Sequence, residues 1–431
     1  MTKVGILGAG LSGLTLANYL KRDFEILERG PIYGGLCRSY SKDGFIFDLG
    51  GHILYSRDSG IMNQFKDLLN GNVLSHKCGD YIWYDKATLI PYPFEQSLYK
   101  LPKTEIVDCV KDFLFNENAN KSVSNMKEWV YKVFGRSIAE KYLLRYNEKV
   151  WKVPIDLMSI EWVQRVPQPT ADDILRSAIG LKTIGGFERK QFYYPLFGGI
   201  QTLVDKLAEP VKNRVICEFT ISSIKKRGET WFVSNGKVER PYGRLVSTIS
   251  IIELVKLLDD VPTSVTNACS KLQYNSVIIA MIGFNGKTKR GTTALYFPQK
   301  DVPFHRLCFP RSFSANCVPQ GKGSVLAEIS FNSANNNWSA QSDEEIISKV
   351  VDSLDKIDLV NPNSVILSHV EKLQYGYVVY DLSYRKNISV VRDYLQEKGI
   401  NILGRFGEFE YLNMDQCFQR GVKCAQEINN P

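Results

Sequence analysis

The chain is poor in histidine, with four in 431 residues. That is too few for a histidine-built metal centre, and no metal is expected. The nine cysteines form no C-x-x-C pair and no cluster with histidine. An odd, unpatterned count argues against a disulfide scaffold and for reduced thiols in a cytoplasmic setting. No apolar run reaches the length of a membrane span, and there is no repeat and no low-complexity tract. Basic residues outnumber acidic ones, for a net charge of +8. They form no arm or long run, so nucleic acid is not indicated, and a modest positive excess suits anionic small molecules. What the chain has in quantity is apolar residues, 44% of the total. That is ample for a large core and two or three domains, and a homo-oligomer is compatible with it.

The informative stretch is Lys3 to Arg29, KVGILGAGLSGLTLANYLKRDFEILER. Val4 to Leu7 reads as a strand. Gly8, Gly10 and Gly13 follow in G-x-G-x-x-G spacing, with Leu11 and Ser12 between the last two. Leu14, Leu16, Ala17 and Leu20 then recur at helical spacing. A second strand, Phe24 to Leu27, ends on Glu28 and Arg29. Strand, glycine turn, helix, strand and acid are the order a dinucleotide site requires. Gly8 permits the turn, Gly10 admits a pyrophosphate, and Gly13 lets helix and strand pack closely. The helix N-terminus offers free N–H groups and the positive end of its dipole to phosphate. Glu28 is placed to accept from a ribose diol. This order of elements fits better than a signal peptide, which the lysine and apolar start imitate. Gly34-Gly35-Leu36-Cys37-Arg38 comes next, and a glycine pair followed by a basic residue suits a flavin diphosphate. It resembles the G-G-x-x-[RS] segment of the flavoprotein group that includes amine oxidases, protoporphyrinogen oxidase and UDP-galactopyranose mutase.

Further along, Gly44 to Asp48 alternates like a strand and breaks on Gly50-Gly51, with His52 after it. Paired glycines admit a planar ring close to the backbone, and His52 there would sense a change in flavin charge. Residues 61–190 read as mostly helical, with Pro and Gly breaks between periodic runs. Gln201 to Leu207 is a helix, and Val215 to Phe219 a strand that brings Phe219 back toward the nucleotide unit. Val277 to Phe284, Thr293 to Pro298 and Ser324 to Phe331 read as an antiparallel sheet. Ile400 to Leu403 is a strand and Asp415 to Ile428 a closing helix. The expected fold is α/β: a Rossmann-like FAD-binding domain from 1–60, 195–265 and 395–431, an inserted helical substrate domain at 61–194, and an antiparallel β-sheet domain at 266–394.

The segment GRFGEFEYLNMDQ, residues 404–416, resembles the C-terminal flavin and substrate motif of the UDP-galactopyranose mutase family. Its bacterial members carry G-R-x-x-x-Y-x-Y-x-D-M-D, and its eukaryotic members begin G-R-F-G. Four more blocks agree in order: DLGGHILYS (48–56), IPYPFEQSLYKLP (90–102), LYFPQKDVPFHR (295–306) and YGYVVYDLSYR (375–385). The resemblance implies FAD bound through Gly404, Arg405, Asn413 and Met414 as well as the N-terminal residues. It implies a nucleotide-diphosphate sugar held by Arg306, Arg405, Tyr377 and Tyr411, with Tyr92, Glu95, Tyr296 and Arg165 completing the substrate site. It implies a redox-neutral pyranose–furanose interconversion in which reduced FAD is the nucleophile, His52, Arg306, Arg405, Tyr377 and Tyr411 serving the reaction. Arginines suit a diphosphate because their forked N–H groups match its oxygens.

The chain departs from the family at three places. Phe313 and Phe409 stand where family members have tyrosines, so hydroxyls on the phosphate are expected to be missing. Glu95 stands for a glutamine at the base, and a carboxylate accepts where an amide also donates. Two alternatives accompany the mutase reading. One is an amine or porphyrinogen oxidase, which shares residues 1–60. The other is a flavin-bound sensor of sugar nucleotides without catalysis.

Overall fold

The computed structural model describes residues 3–430 except 78, 87, 164, 165, 167, 184–190, 288–291 and 333–336. Val4–Leu7 and Phe24–Leu27 are almost fully buried, as strands covered on both faces must be. They lie side by side in a five-stranded parallel sheet. Its order is Ile400–Ile402, Arg244–Ser247, Val4–Leu7, Phe24–Leu27, Val215–Ile216. Three chain stretches far apart in sequence thus build one nucleotide-type sheet. The helix Leu11–Tyr19 covers one face together with Ser59–Leu69, Gln201–Ala208 and the closing helix Met414–Asn429. A three-stranded meander, Ser223–Arg227, Thr230–Ser234 and Glu239–Tyr242, shares the core on the other face with Tyr384–Glu397.

The second layer is a seven-stranded sheet built on three long strands, Val365–Val378, Tyr274–Asn285 and Lys322–Phe331. Arg306–Cys308, Ala294–Tyr296, Asp80–Trp83 and Leu89–Pro91 extend it. All its pairings are antiparallel except Ala294–Tyr296 with Asp80–Trp83. The helix Asp343–Lys356, opened by a Ser342/Glu345 capping box, packs on its outer side.

The structure differs from the sequence expectation within 61–194. Asp80–Trp83 and Leu89–Pro91 are strands of the large sheet, and Leu74–Lys77 pairs with Gln191–Tyr194. The helix Ser59–Leu69 packs in the nucleotide core through Ile61, Met62, Phe65 and Leu69. The helical part proper is Lys103–Leu114, Met126–Ile138, a wide turn over 139–143, Leu144–Trp151 and Ala171–Ala178. It meets the large sheet where the Asn275 amide donates to the Val150 carbonyl at 3.1 Å and to that of Trp151. Those carbonyls end the helix Leu144–Trp151, where intrahelical partners run out.

Candidate active site

A cavity of about 670 Å³ opens at the C-terminal ends of the parallel strands and runs to the inner face of the large sheet. Its first half is two glycine loops laid together. Gly34 N–H donates to Ala9 O at 2.8 Å, and Gly10 and Gly34 form a parallel bridge. The glycines differ in what they permit. A Cβ on Gly13 would stand 2.2 Å from Gly8 O, so close packing requires that glycine. A Cβ on Gly10 would meet only Gly35 Cα, at 3.9 Å, so the space above Gly10 is open to a ligand. The helix beginning at Leu11 has no side-chain cap on its N-terminal N–H groups. Glu28 Oε2 accepts from Ala9 N–H at 2.9 Å, and its Oε1 from Gly30 N–H at 2.8 Å. Each oxygen retains a lone pair for a hydroxyl.

Most of the residues expected at the cofactor line this cavity: Gly8, Gly10, Leu11, Ser12, Glu28, Arg29, Gly35 and Leu36 at one end. Gly50, Gly51, His52, Phe219, Gly404, Arg405, Asn413 and Met414 line the rest. Gly13 does not, because it faces Gly8. Arg38 does not either: its Nε–H turns back to Gly35 O at 3.1 Å and fastens the glycine turn.

At the sheet end, Arg306 leaves its strand toward the cavity and meets a buried carboxylate, Glu328, 1% exposed. One guanidinium nitrogen of Arg306 lies 2.7 Å from each oxygen of Glu328. Gly51 N–H donates to the same carboxylate at 2.8 Å, and the Tyr377 hydroxyl reaches it at 3.4 Å. Burial works against the Glu328 charge, but Arg306 outweighs it, with the Gly51 N–H assisting, and the carboxyl is held below its ordinary range. Sequence reasoning missed Glu328. Its signal was a lone carboxylate in the otherwise uncharged run Gly323–Phe331, where an unpaired charge is costly.

Arg405 is held differently. It donates to the carbonyls of Leu412 at 3.2 Å and Gly376 at 3.0 Å, and its Cζ lies 4.1 Å from the Tyr411 ring centre. Tyr377 and Tyr411 are nearly parallel, 6.1 Å apart. Trp162, another residue not expected, sets its edge on Tyr411 at 4.5 Å. Among the described residues, three buried nitrogens at this end have no partner: His52 Nδ1, Arg306 Nε and Arg405 Nε. Burial, reinforced by Arg306 and Arg405 against the pull of Glu328, lowers His52 to about 4, so the imidazole is neutral at pH 7.

Tyr92, Glu95 and Tyr296 do not line the cavity. They lie in the aromatic layer beside it, with Tyr92 5.0 Å from Tyr296 and Tyr296 5.6 Å from Tyr146. Tyr146 faces His305 at 6.4 Å, and His305 faces Tyr377 at 6.1 Å. Burial raises the Glu95 carboxyl to about 7. Arg165 lies outside the described residues. Phe313 and Phe409, the two positions that depart from family tyrosines, are core residues. Phe313 packs against Phe192 and Tyr194. Phe409 is fully buried, facing Tyr384 and Phe406. Neither side chain lines the cavity.

The residues present fit a flavin dinucleotide. The open space over Gly10 and the uncapped helix end suit a pyrophosphate, Glu28 a ribose, and the unpartnered nitrogens around Gly50-Gly51 the polar edges of a ring system. The volume is in the range of sites that enclose a large ligand, roughly 300–1,000 Å³.

Comparison with known proteins agrees with this reading. A family model described as flavin containing amine oxidoreductase matches residues 11–429. The UDP-galactopyranose mutase of Mycoplasma genitalium is 21% identical over 443 residues, 98% of this chain and 94% of that protein. A solved structure of reduced UDP-galactopyranose mutase superposes with a TM-score of 0.89 at 24% identity, over 99% of this chain and 95% of the other. Cyclohexylamine oxidase from Brevibacterium oxydans IH-35A does so at 0.69 and 14%, over 99% and 98%. At such identities the structural likeness establishes the fold.

Proposed function

The chain belongs to the flavin containing amine oxidoreductase family, and from that premise we propose that it is a mutase. Its substrate would be a nucleotide-diphosphate sugar, interconverted between pyranose and furanose forms with FAD in the reduced state. One observation carries the reading: two arginines and two tyrosines from three separate elements converge beside His52 at one end of the cavity, Arg405 with no carboxylate bonded to it. An oxidase of small amines has no use for such a cluster. A diphosphate does, since guanidinium and phenol donors both match its oxygens.

When bound and reduced, FAD would supply the nucleophile toward the anomeric carbon. The protein's part is to hold and release the diphosphate. Arg405, cradled by two carbonyls and stacked on Tyr411, presents its charge with little reorganisation at the moment of reaction. Tyr377 and Tyr411 add neutral donors. Arg306 orients toward the same place, with Glu328 fixing it and damping its charge. Neutral His52 keeps Nδ1 free to share a proton at the flavin edge. Val277, Ile279, Leu373 and Leu412 wall the cavity with apolar surface and keep water out.

Titration of the reduced protein with UDP, TDP and GDP tests this. Binding of at least one, weakened by salt and by Arg405→Lys, is expected. Binding of none by FAD-loaded protein would overturn it. A second reading, an amine or porphyrinogen oxidase, is favoured by one feature: Glu328 neutralises Arg306, which leaves Arg405 as the uncompensated cation of the cluster. Oxygen consumption with such substrates would reveal it.

A further inference from the structure

The segment 404–413 carries Arg405 and Tyr411, yet it has no regular structure of its own. Two carboxylates on its outer side, Glu408 and Glu410, are gripped by two helices. Arg392, from Tyr384–Glu397, donates to Glu410 Oε1 at 2.9 Å and to the Glu408 carbonyl. Arg420, from the closing helix, donates to Glu410 Oε2 at 2.8 Å and to Glu408 Oε2. The remaining Glu408 oxygen, Oε1, accepts from Gly404 N–H at 2.9 Å. The charges alternate along Arg392–Glu410–Arg420–Glu408, the ring closes where Arg392 meets the Glu408 carbonyl, and Glu408 fastens the residue preceding Arg405. The four side chains are between 16% and 37% exposed, which places them where an ion-pair network outperforms isolated surface pairs.

We propose that this ring of Arg392, Glu408, Glu410 and Arg420 is a positioning device that sets where Arg405 and Tyr411 stand in the cavity. The two helices belong to opposite faces of the parallel sheet. The ring therefore ties a loop that would otherwise drift to both covering layers. Two further bonds seat it: the Tyr384 hydroxyl donates to Phe409 O at 2.6 Å, and Tyr411 N–H donates to the Tyr380 hydroxyl at 2.7 Å. The ring's effect on ligand rests on the reading of Arg405 and Tyr411 as diphosphate ligands; its effect on the loop does not.

The test uses FAD-loaded Arg420→Gln and Glu410→Gln, with Arg227→Gln as comparison. Arg227 forms an exposed pair with Glu239 within the three-stranded meander. Hydrogen exchange over 404–413 is expected to quicken about fivefold or more in the first two and to be unchanged in the third. The dissociation constant for UDP is expected to rise about fivefold in Arg420→Gln. A double-mutant cycle of Arg420→Gln with Arg405→Lys is expected to be non-additive, because the first substitution acts through the second residue. A merely structural role would leave the cycle additive. Unchanged exchange over 404–413 would overturn the proposal. Quickened exchange in a protein that binds no nucleoside diphosphate would uphold the ring and overturn the diphosphate reading instead.

Discussion

Gly10 and Gly13 show how much one hydrogen atom can decide. Both stand in the same motif, but only Gly13 is hemmed in by protein. Gly10→Val is therefore expected to fold, with far-UV circular dichroism near wild type, and to lose its flavin, because the added methyls occupy the space between the glycine loops. Gly13→Val is expected not to fold, its Cβ being forced onto Gly8 O. Flavin absorbance and circular dichroism on both variants check this pair; a Gly10→Val protein with full flavin would put the pyrophosphate elsewhere. The two arginines differ in the same instructive way. Arg306 donates to a carboxylate, Arg405 to carbonyls. Arg405→Lys is expected to cost about 2–5 kcal/mol of transition-state stabilisation, read from kcat/KM. A lysine lacks the fork that engages the Leu412 and Gly376 carbonyls and that would, on the mutase reading, also meet the diphosphate.

At the scale of elements, the helical part depends on a sharp exit at Gly135. Its φ is +72°, and a Cβ there would lie 2.4 Å from Asp112 O. Gly135→Ala is expected to destabilise by about 2–4 kcal/mol through strain and clash. Its melting temperature should fall while flavin content per folded chain stays the same, since Gly135 is not part of the cavity. What the sequence discloses also differs by element. Leu11–Tyr19 was legible because glycines, apolar spacing and a following strand all agreed. Asp80–Trp83 and Leu89–Pro91 were not. They are short, and Asp80–Trp83 owes its strand character to pairing with Ala294–Tyr296 two hundred residues away, with Leu89–Pro91 added at its other edge. Val365–Val378 was missed because charged and polar residues interrupt its run and only Leu367, Val370 and Val378 are buried. The site was readable where motif spacing carried it, at Gly8 to Glu28 and at Gly404 to Met414. Glu328 and Trp162 were not readable, since what matters is the partner each one meets across the fold.

The whole molecule carries buried titratable groups whose protons couple to folding. Burial lowers His52 to about 4, and burial with Arg306 and two lysines lowers His305 to about 3 against the opposing pull of Glu328. Both are held neutral, so stability is lost as pH falls below the ordinary histidine value toward these lowered ones. Glu95 and Asp48 act in the opposite sense, raised by burial to about 7 and about 6. Their contribution is full below the ordinary carboxyl range and is lost as pH rises through the raised values. Glu95→Gln removes one of these without adding charge. Relative to wild type the variant should gain stability between about pH 5 and about pH 8, by up to about 3 kcal/mol. Chemical denaturation at the two pH values checks this; a gap that does not change with pH would mean that Glu95 titrates normally.

Two sheets and a helical flank enclose a cavity, with dinucleotide features at one end and a cluster of arginines and tyrosines at the other. The mutase reading of that arrangement is tested most directly by catalysis. FAD-loaded protein, reduced with dithionite in the absence of oxygen, is incubated with UDP-, TDP- and GDP-linked pyranoses, and the products are separated by chromatography. Conversion of at least one to its furanose form is expected, with no net consumption of reductant and none by the oxidised protein. No furanose from any of the three, together with oxygen-dependent oxidation of an amine or porphyrinogen, would contradict it.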